Sequence, residues 1–516
     1  MAKHRERWGT KLGVILAVAG SAVGLGNFLR FPVQAAQNGG GAFMIPYFIA
    51  LLLLGIPLMW IEWAIGRYGG IFGHGSAPGA FHRLWENKLA KYFGVIGIFG
   101  PLIIFIYYTY IESWILAYAF FSVTQKLFDA STTNSLLAFL RGYQGLVQNE
   151  FFSGIHVALI FFVITFFINI TIIYFGIRGG IERICRIAMP ALFLFAVAIM
   201  IRVLTLGSPD PANPSWNVFN GLGFLWNPNF EALKDAKVWL AATGQIFFTL
   251  SVGIGVILTY ASYLTKADDV VLSGLSAAGT NEFAEVILGG SIAIPVAFAF
   301  FGPVGIVEIA NGGAFNLGFV TLPLIFQQIP LGAFFAFLWF SLLFLAGITS
   351  SISLAQPAVS FVSDEFGIDT KKAVLIFAAV CFIACLPVIF FLGNGVLDEL
   401  DFWGGTFCLV LFATIEAILF AWVFGINNAW EEIHLGAHIR VPKIFKFVIK
   451  YITPVYLLTI LGFWLYQEWL SVIMMKGVSA ENLPYVIGTR ITLVATLIVI
   501  ALLVRFAWRR REKSAA

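Results

Sequence analysis

Apolar stretches recur along the whole chain, at residues 12–36, 42–66, 92–122, 155–176, 187–206, 239–264, 270–301, 332–362, 372–393, 402–424, 444–466 and 483–507. Each is long enough for a helix to cross a hydrocarbon core of about 30 Å. With no water to satisfy the backbone, spanning segments are helices or closed barrels, and these runs lack the two-residue alternation of a barrel. The pattern predicts an all-α polytopic membrane protein with twelve transmembrane helices. The more polar stretches near 123–153, 207–236, 302–331 and 425–443 read as loops or short surface helices, the first three external.

Composition agrees: of 516 residues 60% are hydrophobic and 11% charged, with a mean hydropathy of +0.90. That excludes a water-soluble domain. The net charge of +4 is carried by 31 Lys and Arg, of which only Arg30, Lys126, Arg141, Arg202, Lys234, Lys237, Lys476 and Arg490 fall outside if both termini face the cytoplasm. This asymmetry predicts cytoplasmic termini in a multi-pass protein of the cell membrane. The positive charge therefore reports orientation, not nucleic-acid binding. The terminal run RFAWRRREK is expected to do no more than anchor the last helix on anionic lipid headgroups.

Little points to catalysis. Cys185, Cys381, Cys385 and Cys408 lie in or beside apolar stretches without zinc or redox spacing. In EEIHLGAH the order of Glu431, Glu432, His434 and His438 is wrong for a zinc protease. No enzyme and no organic cofactor are expected.

The first span, AVAGSAVGLGNFLRFP, places Gly20, Gly24, Gly26, Ser21 and Asn27 where regular helix should run. The sixth, GQIFFTLSVGIGVILTYASY, does the same with Thr249, Ser251, Gly253 and Gly255. Each glycine costs a helix about 1 kcal/mol. One such helix would read as a small-residue packing face. Two, five spans apart, predict inverted five-helix repeats, spans 1–5 and 6–10, with broken helices 1 and 6 facing a central site. The corresponding divisions are 1–11 (cytoplasmic), 12–206 (first repeat), 207–238 (external loop), 239–424 (second repeat), 425–443 (cytoplasmic connection), 444–507 (spans 11 and 12) and 508–516 (basic tail). Spans 11 and 12 lie outside the repeat, leaving bundle packing or contacts in a homodimer as their role.

Backbone freed by such breaks must be taken up by a ligand, an ion or a side chain. Half-helix N-termini suit an anion, and bare carbonyls and hydroxyls suit a small hard cation. A carboxylate with sodium fits both. In the eighth span, LAGITSSIS offers the Ala346 carbonyl with the hydroxyls of Thr349 and Ser350, and the seventh places Asn281 and Glu285 on one face. Intramembrane carboxylates are functional candidates by default, Glu62, Glu112 and Glu416 included, although bracing of a broken helix serves those three as well.

The run WGTKLGVILAVAGSAVGLGNFLRFPVQAAQNGGGAFMIPY, with GQIFFTLS, TYASY, NEFAEVILGG, AFNLGF, AGITSSIS and LDELDFW, resembles the neurotransmitter:sodium symporter family, most closely its bacterial leucine-transporting branch. The likeness covers nearly the whole chain and implies a sodium-coupled symporter of a neutral, hydrophobic L-amino acid working by alternating access. A sensor or a channel on the same fold remains the alternative.

By that resemblance the substrate carboxylate is held by backbone N–H groups at Leu25 and Gly26 and the Tyr108 hydroxyl, and its amino group by Ala22, Phe248, Thr249 and Ser251. Ile104, Tyr108, Phe248, Ser251, Ile254, Ser350 and Leu354 enclose the side chain. Two sodium ions are implied: one on Ala22, Asn27, Thr249, Asn281 and the substrate carboxylate, the other on Gly20, Val23, Ala346, Thr349 and Ser350. Glu285 stands where chloride-dependent relatives are neutral, implying independence from chloride. Gly24 stands where amine carriers have aspartate, arguing against an amine substrate. Arg30 and Asp401 above Tyr108 and Phe248 are implied as the external gate, and Arg5, Trp8, Tyr263, Gln356 and Asp364 as the internal one.

Overall fold

A computed structural model of the protein describes residues 6–467 and 469–515, with side chains through residue 512. Arg5, expected in the internal gate, lies outside the described residues. The described chain is helical, and ten continuous helices are long and apolar enough to cross a membrane. They are Gly41–Ile71, Ala90–Val123, His156–Tyr174, Ile177–Leu204, Val270–Asn311, Gly332–Phe366, Thr370–Phe390, Val396–Val423, Ile444–Gln467 and Leu483–Glu512. These are the predicted spans 2–5 and 7–12.

The remaining two spans are the broken ones. Span 1 comprises Lys11–Ala22 and Gly26–Gln37, bent by 46°. Span 6 comprises Ala236–Leu250 and Val256–Ala261, each too short to cross alone. Between its halves Ser251, Gly253 and Gly255 all have positive φ, at 54°, 75° and 82°. That conformation suits glycine, and a Cβ at Gly253 would lie 2.5 Å from the Leu409 carbonyl. The freed Gly253 N–H is taken up by the buried Glu62 carboxylate.

The second half of span 6, Val256–Ala261, is locked to span 2 by close backbone approach. A Cβ on Gly66 would lie 2.1 Å from the Leu258 carbonyl, and one on Gly70 2.0 Å from that of Ser262. Small residues allow such contact between helices in a bilayer. Gly66→Leu is therefore expected to cost about 3 kcal/mol by overpacking. A lower melting temperature for the purified protein, by detergent-resistant fluorescence or circular dichroism, would register it. An unchanged melting curve would contradict the packing.

Several loop segments carry amphipathic helices: Ala77–Leu84 between spans 2 and 3, Thr133–Tyr143, Val218–Trp226 and Ile426–His434. The last is held by buried Arg67 of span 2, whose Nε lies 3.0 Å from Glu432 and whose Nη1 donates to the carbonyls of Asp268 and Leu435, both at 2.7 Å. The basic tail departs from its expected role. Arg505, Arg509 and Arg510 are exposed, as a headgroup anchor requires, but Trp508 is buried and Arg511 pairs with Glu365 at 3.1 Å. The tail thus docks on the protein through Trp508 and Arg511 while its other arginines stay exposed.

Candidate functional site

The two breaks meet in the middle of the bundle. The Ser251 hydroxyl, turned inward by its left-handed backbone, donates to the Ser21 carbonyl at 2.9 Å. On the far side of span 1 the Ser350 hydroxyl lies 3.1 Å from both the Ser21 and Ala346 carbonyls and 3.4 Å from that of Gly20. Span 1 is therefore held between spans 6 and 8 at the point where its own hydrogen-bond ladder stops.

A cavity of about 400 Å³ occupies the junction. Ala22, Leu25, Gly26, Asn27, Ile104, Tyr108, Phe248, Thr249, Ser251, Ile254, Ser350 and Leu354 line it, so every residue expected around the substrate sits on one chamber. Its wall is largely apolar, with Leu409 of span 10 joining Ile104, Phe248, Ile254 and Leu354. The polar groups gather at the break, where the Leu25 N–H points to the Tyr108 hydroxyl at 3.4 Å. Thr406, Ser353 and Gln34 also line the chamber. Sequence reasoning did not single them out: Ser353 closes the LAGITSSIS run, but nothing local sets it, Thr406 or Gln34 apart from their neighbours.

Beside this chamber lies a buried amide cluster. Asn27 accepts the Gly24 N–H at 2.8 Å through Oδ1, and its Nδ2 lies 2.8 Å from Asn281 Oδ1 and 3.2 Å from the Thr249 hydroxyl. The Asn281 Oδ1 position is also 3.2 Å from the carbonyl oxygens of both Ala22 and Thr249. With the Asn281 amide turned over, its nitrogen instead donates to both carbonyls. The amides of Asn27 and Asn281 and the carbonyls of Ala22 and Thr249 thus gather around one buried point.

The other set expected to hold sodium is partly assembled. Ser350, Ala346 and Gly20 converge as described, while the Thr349 hydroxyl donates to the Leu345 carbonyl at 2.9 Å and lies 3.2 Å from that of Ala346. Val23 is buried in the turn where the first half-helix ends. Among the described residues no group of three His, Cys, Asp or Glu could hold a metal.

Glu285 stands behind the amide cluster, fully buried. It accepts from the Tyr47 hydroxyl at 3.0 Å, the Gln245 amide at 2.9 Å and the Thr249 hydroxyl. Among the described residues it forms no ion pair with Lys or Arg. Glu112 sits elsewhere, against the Asn169 amide at 3.1 Å. Glu62 and Glu416 brace the break of span 6 without facing the chamber.

The chamber's two ends differ. It extends past Arg30 and Asp401, which both line it, to Gln37 and Phe315. Among the described residues no ion pair joins Arg30 to Asp401. Arg30 lies 4.5 Å over the Phe248 ring, and Asp401 accepts from the Tyr107 hydroxyl at 2.6 Å. At the opposite end the Trp8 indole donates to the Tyr260 carbonyl at 3.0 Å, Tyr263 meets Ser360 at 2.9 Å and Ser21 meets Ser353 at 2.8 Å. Gln356 is buried there, and the carbonyl of Asp364 accepts from Arg511. One mouth is thus open while the other is sealed.

A family model described as the sodium:neurotransmitter symporter family matches residues 5–138 and 149–510. An uncharacterised sodium-dependent transporter of Methanocaldococcus jannaschii is 31% identical over 88% of this chain and 89% of its own. A sodium- and chloride-dependent glycine transporter of Xenopus laevis is 28% identical over 90% of this chain and 65% of its own. Among solved structures, that of MhsT in complex with L-phenylalanine superposes with a TM-score of 0.75 at 31% identity, covering 88% of this chain and 99% of that one.

Proposed function

Because the chain belongs to the sodium:neurotransmitter symporter family, a family of membrane transporters and not of enzymes, we propose that it carries a neutral hydrophobic L-amino acid together with two sodium ions, independently of chloride. The observation that carries this reading is the convergence of the Ala22 and Thr249 carbonyls with the Asn27 and Asn281 amides beside a largely apolar chamber. The substrate carboxylate would meet the Leu25 and Gly26 N–H groups and Tyr108 and complete the ligand set of the first ion, with Asn27 and Thr249. The second ion would use Gly20, Val23, Ala346, Thr349 and Ser350. Its loss would let span 1 part from span 8.

The side-chain class follows from the chamber's walls and from MhsT, whose structure holds L-phenylalanine. With Ile254 and Ile104 in the wall, aliphatic and aromatic side chains both find apolar partners. Gly24 leaves no fixed carboxylate to neutralise an amine, so the substrate is a zwitterion. In the proposed orientation the open mouth at Arg30 and Asp401 is external, both termini are cytoplasmic, and Trp8, Tyr263, Gln356, Asp364 and Arg5 close the inner side. Spans 1, 2, 6 and 7 move against the rest.

Uptake into sealed vesicles tests the reading. An inward sodium gradient should concentrate labelled L-phenylalanine, and an ionophore that collapses the gradient should release it. A sensor would bind without accumulation, and a channel would equilibrate without concentrating. Competition by a panel of neutral amino acids then ranks the substrates.

Glu285 carries a separate prediction. A carboxylate held by Tyr47, Gln245 and Thr249 supplies in covalent form the negative charge a bound anion would otherwise bring next to sodium. Glu285→Ser should lower uptake at least tenfold without chloride and recover most of it when chloride is added, about 1.4 kcal/mol or more of lost charge compensation. Uptake in gluconate and chloride buffers measures this, and equal rates in both would contradict the role.

A further inference from the structure

Spans 11 and 12 have no part in the mechanism above, yet span 12 makes two polar anchorages, one at each end, with both arginines partly exposed. At the end of the open mouth Arg490 grips Glu399 of span 10 with two bonds of 2.8 Å, from Nε and Nη2. Glu399 also accepts from the Trp403 indole at 2.9 Å. This pair flanks Asp401, two residues along the same helix, whose carboxylate lines the mouth.

At the sealed end Arg511 pairs with Glu365 at 3.1 Å and donates to the Asp364 carbonyl at 3.0 Å. Glu365 is fully buried and meets His74 at 2.8 Å. The ring of His74 stacks on Trp508, one turn back along span 12, at 6.0 Å, and Lys91 lies 5.4 Å over the same indole. The carboxylate of Glu365 thus has one partner on the span 2–3 connection and one on span 12. Asp364 is its immediate neighbour in sequence.

Each arginine therefore holds the acid beside a gate acid. The two arginines lie about 20 residues apart on one continuous helix, which at the helical rise spans roughly 30 Å, the thickness of the hydrocarbon core. We propose that span 12 is a strut whose Arg490–Glu399 and Arg511–Glu365 clamps position the external-gate acid Asp401 and the internal-gate acid Asp364. Arg490 and Arg511 are positioning residues, acting through Glu399 and Glu365. A helix cannot change its length without breaking hydrogen bonds, so the strut keeps the two acids in register on spans 8 and 10 while the moving spans swing past them. The inference rests on the gate assignment proposed above.

Two cysteine reporters test it in the full-length protein. Thr259→Cys lies buried on the inner half of span 6, and Ala314→Cys lines the open mouth. In the otherwise wild-type chain, sodium with L-phenylalanine should protect both from a maleimide. Arg511→Gln should make Thr259→Cys react about tenfold faster and raise the half-saturating sodium concentration in proportion, because the sealed end loses its lock. Arg490→Gln should leave Ala314→Cys reactive even with sodium and L-phenylalanine. Arg511→Lys should restore much of the inner protection, and Arg505→Gln, on the exposed face of the same helix, should change neither reporter. Should Arg511→Gln not fold, Glu365→Gln, which still reaches His74, should shift the inner reporter the same way. Clamp variants that lower only the melting temperature, with both reporters responding as in the parent, would overturn the strut. Reporters that ignore sodium in the parent would instead count against the transport reading itself.

Discussion

Asn27→Ala should weaken sodium and amino-acid binding together, each by about 100-fold or more. The Asn27 side chain is fully buried, and its amide serves three partners at once: the Gly24 N–H, the Thr249 hydroxyl and the Asn281 amide oxygen. Alanine would strand the Gly24 N–H and leave the buried Asn281 amide without its nearest partner. Each stranded buried group costs about 1–3 kcal/mol, and two of them suffice for a 100-fold loss. Calorimetric titration with sodium, then with L-phenylalanine at fixed sodium, reads both constants. Loss of only one would mean that ion and substrate occupy separate sites.

Gly24→Asp should abolish amino-acid uptake. A Cβ at this position would lie 2.9 Å from the Ser350 hydroxyl and 3.4 Å from that of Tyr108, so the new carboxylate would crowd the place proposed for the substrate's own. Two carboxylates a few ångströms apart in a water-poor site repel by several kcal/mol, a loss of 100-fold or more. Gly24→Ala separates the steric part and should cost no more than about tenfold. Phenethylamine, which lacks the carboxylate, should lose far less affinity to Gly24→Asp than L-phenylalanine does. Competition against a labelled ligand in both variants decides it: equal losses for the two compounds would place the substrate carboxylate elsewhere.

The spans were legible because a bilayer imposes length and apolarity on every crossing helix, and the two breaks because glycine and hydroxyl residues have no other business at mid-membrane in two matching helices. The helix bounds shift by several residues, as at Gly332–Phe366, where the amphipathic C-terminal end runs beyond the apolar window. Amphipathic helices such as Thr133–Tyr143 lie in stretches that hydropathy reads only as polar. The tail illustrates a deeper limit. Charge alone cannot tell an arginine facing headgroups from one facing Glu365, since the pairing depends on a helix some 145 positions away in the chain. The same holds for Tyr107: its hydrogen bond to Asp401 joins spans 3 and 10, and no local pattern marks it out from the neighbouring Tyr108.

The gates show where a family likeness and a single conformation differ. Arg30 and Asp401 are implied as a closing pair, and in this structure they border an open mouth without bonding to each other. A gate that opens in each cycle cannot be held by a strong bond, and exposed ion pairs contribute only about 0–1 kcal/mol. The sealed end has instead three short hydrogen bonds, Trp8 to Tyr260, Tyr263 with Ser360 and Ser21 with Ser353.

The proposed transport turns on a single binding event in which the amino acid's carboxylate and a sodium ion would share the oxygens of both broken helices. Its sharpest test is reciprocal titration of the purified protein: the affinity for L-phenylalanine at low and saturating sodium, and that for sodium with and without L-phenylalanine. A shared site requires the two affinities to rise by the same factor, about tenfold or more. Independent constants, each indifferent to the other ligand, would contradict it.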